Sequence, residues 1–117
     1  MRDLKVLYRQ FAIDVAVVIK RLPIDTINIA YCRQLIRASS SPGTNYRAAL
    51  RGKSKADFIN KLKIVEEELD ESIYFLDLLL HFNQNSGTEL TRLMKEGNEL
   101  LAITGHCPFK CVSGASK

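Results

Sequence analysis

The sequence predicts an all-α protein, an antiparallel up-down four-helix bundle with a kinked second helix. Three observations carry that prediction. Large apolar residues recur at steps of three and four over most of the chain, the period of a helix face. No segment alternates apolar with polar residues as a half-buried strand does. The periodic segments are joined by short links that hold helix-capping residues, a pattern that places neighbouring helices antiparallel.

The first helix is read from Leu4, Leu7, Phe11, Val15, Val18, Ile19 and Leu22, and it ends before Pro23. Asp25 and Thr26 follow as N-cap residues, whose short side-chain oxygens accept an orphan backbone N–H of the next helix. Ser54 with Asp57 resembles a capping box opening the third helix, whose seam is Phe58, Leu62, Val65, Leu69, Ser72, Leu76 and Leu79. That helix is expected to stop between His81 and Asn85. Ser86 and Glu89 form a similar start for a fourth helix on Leu90, Leu93, Met94, Gly97, Leu101 and Thr104. Periodicity ends after Gly105, so residues 1–105 are expected to form the bundle and 106–117 a flexible tail.

The second helix is the hard case. Between Gln34 and Arg47 stand three serines followed by Pro42 and Gly43, which local chemistry assigns to a loop. The phase of the flanks says otherwise. At about 100° per residue, Arg37, Arg47 and Arg51 fall within roughly 40° of Arg33. Ile27, Tyr31, Leu35, Ala38, Asn45, Tyr46 and Ala49 fall on the opposite side. A loop in the middle would scramble that register, so one long helix is predicted, kinked where Pro42 removes a hydrogen bond and with the serines satisfying local carbonyls. Small residues there also let a neighbouring helix approach closely.

The 117 residues suffice for one domain with a core, and 46% hydrophobic residues with 3 prolines and 6 glycines fit a globular chain. The formal charge of +4 is unevenly spread. Residues 1–53 carry 10 Lys/Arg against Asp3, Asp14 and Asp25, whereas residues 54–105 carry 5 Lys/Arg against 10 Asp/Glu. A basic half beside an acidic half is either a nucleic-acid face or a set of helices that neutralise one another within a bundle or between subunits. No apolar run reaches the roughly 18 residues of a membrane span, and the N-terminus lacks the apolar core of a signal peptide. A cytoplasmic protein with no membrane association is expected. Cys32, Cys107 and Cys111 are an odd number without an export signal, so no disulfide framework is expected, and Cys32 reads as a small packing residue.

Arg33, Arg37, Arg47 and Arg51, extended by Lys53 and Lys55, are the candidate nucleic-acid-binding residues, because guanidinium forks hold phosphate oxygens bidentately without reading sequence. The same stripe also fits a solvated face or a partner for the acidic third helix. Tyr46 lies on the core side of the helix, where an aromatic packs rather than stacks a base. Of the acidic run Glu66, Glu67, Glu68, Asp70 and Glu71, Glu68 borders the apolar seam. It is expected to pair with an arginine or accept a hydrogen bond from Asn45, making both structural polar residues. No catalytic residue, metal or cofactor is assigned. Neither His81 nor His106 has a Glu three residues earlier, as a di-metal bundle requires, and His106, Cys107 and Cys111 are too few for a tetrahedral zinc site. A phosphate-binding glycine loop and a nucleophile elbow are likewise missing, so no enzyme activity is expected.

The series Gln34-Leu35-Ile36-Arg37, Ser41, Gly43, Asn45, Tyr46, Arg47 and Ala49, then Ser54-Lys55-Ala56-Asp57-Phe58-Ile59 and Glu68, Glu71, Ser72, Tyr74 and Leu76, resembles a known family. It is the four-helix-bundle family named for proteins encoded in intervening sequences of bacterial 23S ribosomal RNA genes. The resemblance runs from about Phe11 to Thr104. Ala48 stands where the family often has Glu, and Pro42 comes one position before a proline common in the family. The resemblance implies an up-down bundle that assembles as a ring-like homo-oligomer, commonly a pentamer. It also implies kinship with basic accessory proteins that partner reverse transcriptases in retroelements. Two functions are therefore expected: an oligomer that holds RNA or DNA through the second helix, or a protein-only scaffold whose basic and acidic helices pair between subunits.

Overall fold

The computed structural model describes residues 3–105; the expectation of a tail and of a His106, Cys107 and Cys111 cluster falls outside them. Four helices follow one another: α1 (Leu4–Arg21), α2 (Thr26–Leu50), α3 (Lys55–Phe82) and α4 (Gly87–Gly105), with a single 3-10 turn at Gln84–Ser86 before the last. They pack as an antiparallel bundle 44 Å long. That length is close to the roughly 42 Å that the 28 residues of α3 span at 1.5 Å each.

The caps explain the boundaries. Asp3 accepts from the Lys5 N–H, Asp25 from Asn28 and Ser54 from Asp57, each satisfying a first-turn donor. The expected box at Ser86 and Glu89 does not close. The chain enters α4 through the 3-10 turn instead, and the Glu89 carboxylate takes Arg21 at 2.6 Å, tying the end of α1 to the start of α4.

The core follows the predicted seams, with Phe11, Val15, Val18, Leu35, Leu62, Val65, Leu69, Leu76, Leu79, Leu90 and Leu93 all buried. Half-buried Cys32 packs against this cluster, and burial together with nearby Asp25 pushes its thiol up. Three details differ from the seam reading. In α4 Leu100 is buried, whereas Leu101 of the expected seam is only partly so. Tyr8 is buried in α1, where its hydroxyl donates to Thr104 at 2.6 Å, since the Thr104 proton is already directed to the Leu100 carbonyl. Ile27 is exposed and Asn28 is buried in its place, because the first turn of α2 overhangs the bundle end beside half-exposed Phe82.

At that end lies a pair the sequence did not mark. Asn28 and Asn83 donate to each other's Oδ1 at 2.9 and 2.8 Å, and their second amide protons go to the Pro23 and Leu79 carbonyls. The first turn of α2 and the C-cap of α3, 55 positions apart, are thereby locked together.

Gly97 is buried where α4 packs tightly against Ile73 and Phe11. A Cβ there would sit 3.0 Å from Ile73 Cγ1 and 3.4 Å from Phe11 Cζ. Gly97→Ala gains about 1 kcal/mol of helix propensity but overpacks the seam by about 2 kcal/mol. A net loss of about 1 kcal/mol is expected in urea unfolding.

Candidate nucleic-acid interface

The Gln34 to Arg47 segment is helical throughout, and its polar residues explain how. Ser39 and Ser40 both donate to the Ile36 carbonyl, Ser40 at 2.7 Å. Thr44 donates to the Ser40 carbonyl, while Asn45 donates to the carbonyl and hydroxyl of Ser41 at 3.1 and 2.8 Å. These side chains turn back onto their own helix, as Ser, Thr and Asn do when they bond a carbonyl four residues earlier. Pro42 is buried, and Gly43 faces α1, where an added Cβ would touch Tyr8 at 3.6 Å.

Helical continuity places Arg33, Arg37 and Arg47 on α2 and Arg51 at its C-cap, all exposed. Lys53 lies in the link and Lys55 opens α3, also exposed. No carboxylate among the described residues comes within ion-pair distance of the four arginines. Tyr46 is turned inward, its ring 5.2 Å from that of Tyr8.

The hydrogen bond expected between Asn45 and Glu68 is not formed, because Asn45 is occupied by Ser41. Nor does Glu68 make a direct ion pair among the described residues. Burial raises its pKa above the usual carboxylate value, Glu71 and Glu67 add to the rise, and Arg37 opposes it. Glu68 instead lines an open groove of about 650 Å³ between α2 and α3, with Gln34, Arg37, Ser40, Ser41, Thr44 and Glu71. Glu71, Gln34 and the hydroxyls were not singled out from the sequence. A signal was present: Gln34, Arg37, Ser41 and Thr44 are spaced three, four and three apart, a polar seam beside the arginine stripe.

Ser40 and Thr44 share the arginines' face of α2, with Gln34 and Ser41 beside them in the groove, and Ile29, Ile36 and Leu50 are exposed on the same helix. Elsewhere, a smaller cavity of about 350 Å³ separates α1 from α4. There burial and the neighbouring Asp14 carboxylate raise the pKa of Glu96, and Arg92 opposes the shift. Among the described residues no three His, Cys, Asp or Glu side chains gather as a metal site, and no helix is long and apolar enough to cross a membrane.

Comparison with known proteins agrees with this architecture. No curated protein matches the chain. A crystal structure of a protein of unknown function from the S23 ribosomal protein family of Bacteroides thetaiotaomicron is similar, at 27% identity and a TM-score of 0.80, over 88% of this chain and 95% of that one. The profile of the 23S rRNA-intervening sequence proteins matches residues 2–106, so the chain belongs to the 23S rRNA-intervening sequence protein family.

Proposed function

We propose that the chain is a non-catalytic, oligomeric, cytoplasmic protein that holds nucleic acid, RNA in the first place, on the exposed face of α2. The observation that carries this reading is the row Arg33, Arg37, Arg47 and Arg51, four guanidinium groups on one helix face, none within ion-pair distance of a carboxylate among the described residues. Lys53 and Lys55 extend the row past the end of α2. Such a row suits phosphates by charge and by fork geometry.

A second reading is favoured by the exposed apolar residues. Ile29, Ile36 and Leu50 beside the arginines, and Val6, Ile13, Val17 and Ile103 on α1 and α4 near Asp14, Glu96 and Glu99, have the character of surfaces that subunits cover. In that reading the basic helix meets an acidic face of another copy.

One variant separates the two. Changing Arg47 and Arg51 together to Ala is expected to weaken binding to RNA about tenfold and to reduce the slope of log affinity against log salt by about 1.5. The solution mass should stay that of the parent oligomer. Unchanged affinity and slope would exclude this face. Dissociation of the oligomer instead would assign the arginines to the subunit interface.

A further inference from the structure

The groove between α2 and α3 has a hydrogen-bonding character opposite to that of the arginine stripe beside it. The protons of the Ser40 and Thr44 hydroxyls are engaged by the Ile36 and Ser40 carbonyls, so their oxygens face the groove with lone pairs. The Ser41 oxygen accepts from Asn45, while its own proton and the Gln34 amide stand as donors among these acceptors. Glu68 and Glu71 add two carboxylates with no hydrogen-bond or ion-pair partner among the described residues. Arg37, shared with the stripe, is the one cation lining the groove among the described residues. The groove is thus rich in acceptors, and a ligand that complements it brings donors.

A bare phosphate brings none and is repelled by both carboxylates. A ribose brings its 2′-hydroxyl, a donor attached to the same backbone whose phosphates the arginines suit. Glu68, half-buried on the groove wall, is placed to accept from a group entering the groove. The groove, at about 650 Å³, is wide enough to admit a sugar.

We propose that this groove selects RNA over DNA, with Glu68 and Glu71 accepting hydrogen bonds from ribose 2′-hydroxyls while the adjoining arginines hold the phosphates. The inference rests on the nucleic-acid reading above and adds a discrimination that the arginines alone do not supply. The carboxylates lower affinity for any phosphate chain and restore it only where a 2′-hydroxyl is present.

The test compares the intact protein's affinity for three single strands of one sequence: RNA, DNA and 2′-O-methyl RNA, which keeps the sugar and loses the donor. RNA is expected to bind about tenfold tighter than DNA, the worth of a hydrogen bond to a charged acceptor, with 2′-O-methyl RNA at the DNA level. Glu71→Ala, at an exposed position, and Glu68→Gln, close in shape, should each bind DNA more tightly while the RNA-to-DNA ratio falls toward one. Circular dichroism melts confirm that both variants fold. Equal binding of RNA and DNA by the parent protein, or a ratio unchanged in both variants, overturns the inference and leaves the arginine reading standing. Failure to bind any of the three strands overturns both.

Discussion

Asn83→Leu is expected to lower the unfolding free energy by about 3 kcal/mol, a large share of the 5–15 kcal/mol typical of a domain. The side chain is buried and all its polar atoms are engaged: Oδ1 accepts from Asn28, and Nδ2 donates to Asn28 and to the Leu79 carbonyl. Leucine in its place leaves one amide proton and the Oδ1 of Asn28, and the Leu79 carbonyl, without their partners in a largely buried site. Each stranded group costs about 1–3 kcal/mol. The matching change Asn28→Leu should do similar damage, and the two together should cost less than their sum. A coupling of about 1–2 kcal/mol in a double-mutant cycle, read by urea unfolding, is the expected signature of the reciprocal pair. Strict additivity would mean that the two amides act independently.

Pro42→Ala is expected to act in the opposite direction, stabilising by about 2 kcal/mol. Proline in a helix interior costs about 3 kcal/mol relative to alanine, since it removes a backbone donor and crowds the preceding turn. Pro42 lies well inside α2, eight residues before Leu50 closes the helix. Against the gain stands the apolar contact of its buried ring, about 1 kcal/mol for the part that alanine does not replace. A thermal melt shifted upward by several degrees is the predicted result. A downward shift would show that the ring's packing outweighs the helix penalty.

Most of the bundle was legible because an apolar seam is a local, periodic signal. Leu62, Val65, Leu69, Ser72, Leu76 and Leu79 follow one face of α3, and each is buried. The α2 segment was legible for a subtler reason: cations on both sides of Pro42 kept a common phase, and phase outlasts a single missing hydrogen bond. The Asn28 and Asn83 pair was not legible, since each residue taken alone reads as a capping or loop residue. Their partnership is set only when the two bundle corners meet. The mistaken bond between Asn45 and Glu68 has a related cause. A helical wheel places both near the same seam, but it carries no side-chain torsions, and Ser41 is four residues away on the same helix. Ile27 misled because a wheel has no ends: its position is inward in phase, yet the neighbouring helix has already stopped. At the groove, the spacing of Gln34, Arg37, Ser41 and Thr44 was visible, but its acceptor character depends on where the hydroxyl protons point.

The unbroken course of α2 through Pro42 also sets a ruler. From Arg33 to the Arg51 C-cap the chain advances about 27 Å at 1.5 Å per residue. A stacked single strand rises about 3.4 Å per nucleotide, so four arginines mounted on this bar mark off about eight nucleotides. On the nucleic-acid reading, oligonucleotides shorter than this gain affinity with each added residue, and longer ones gain only through a second subunit.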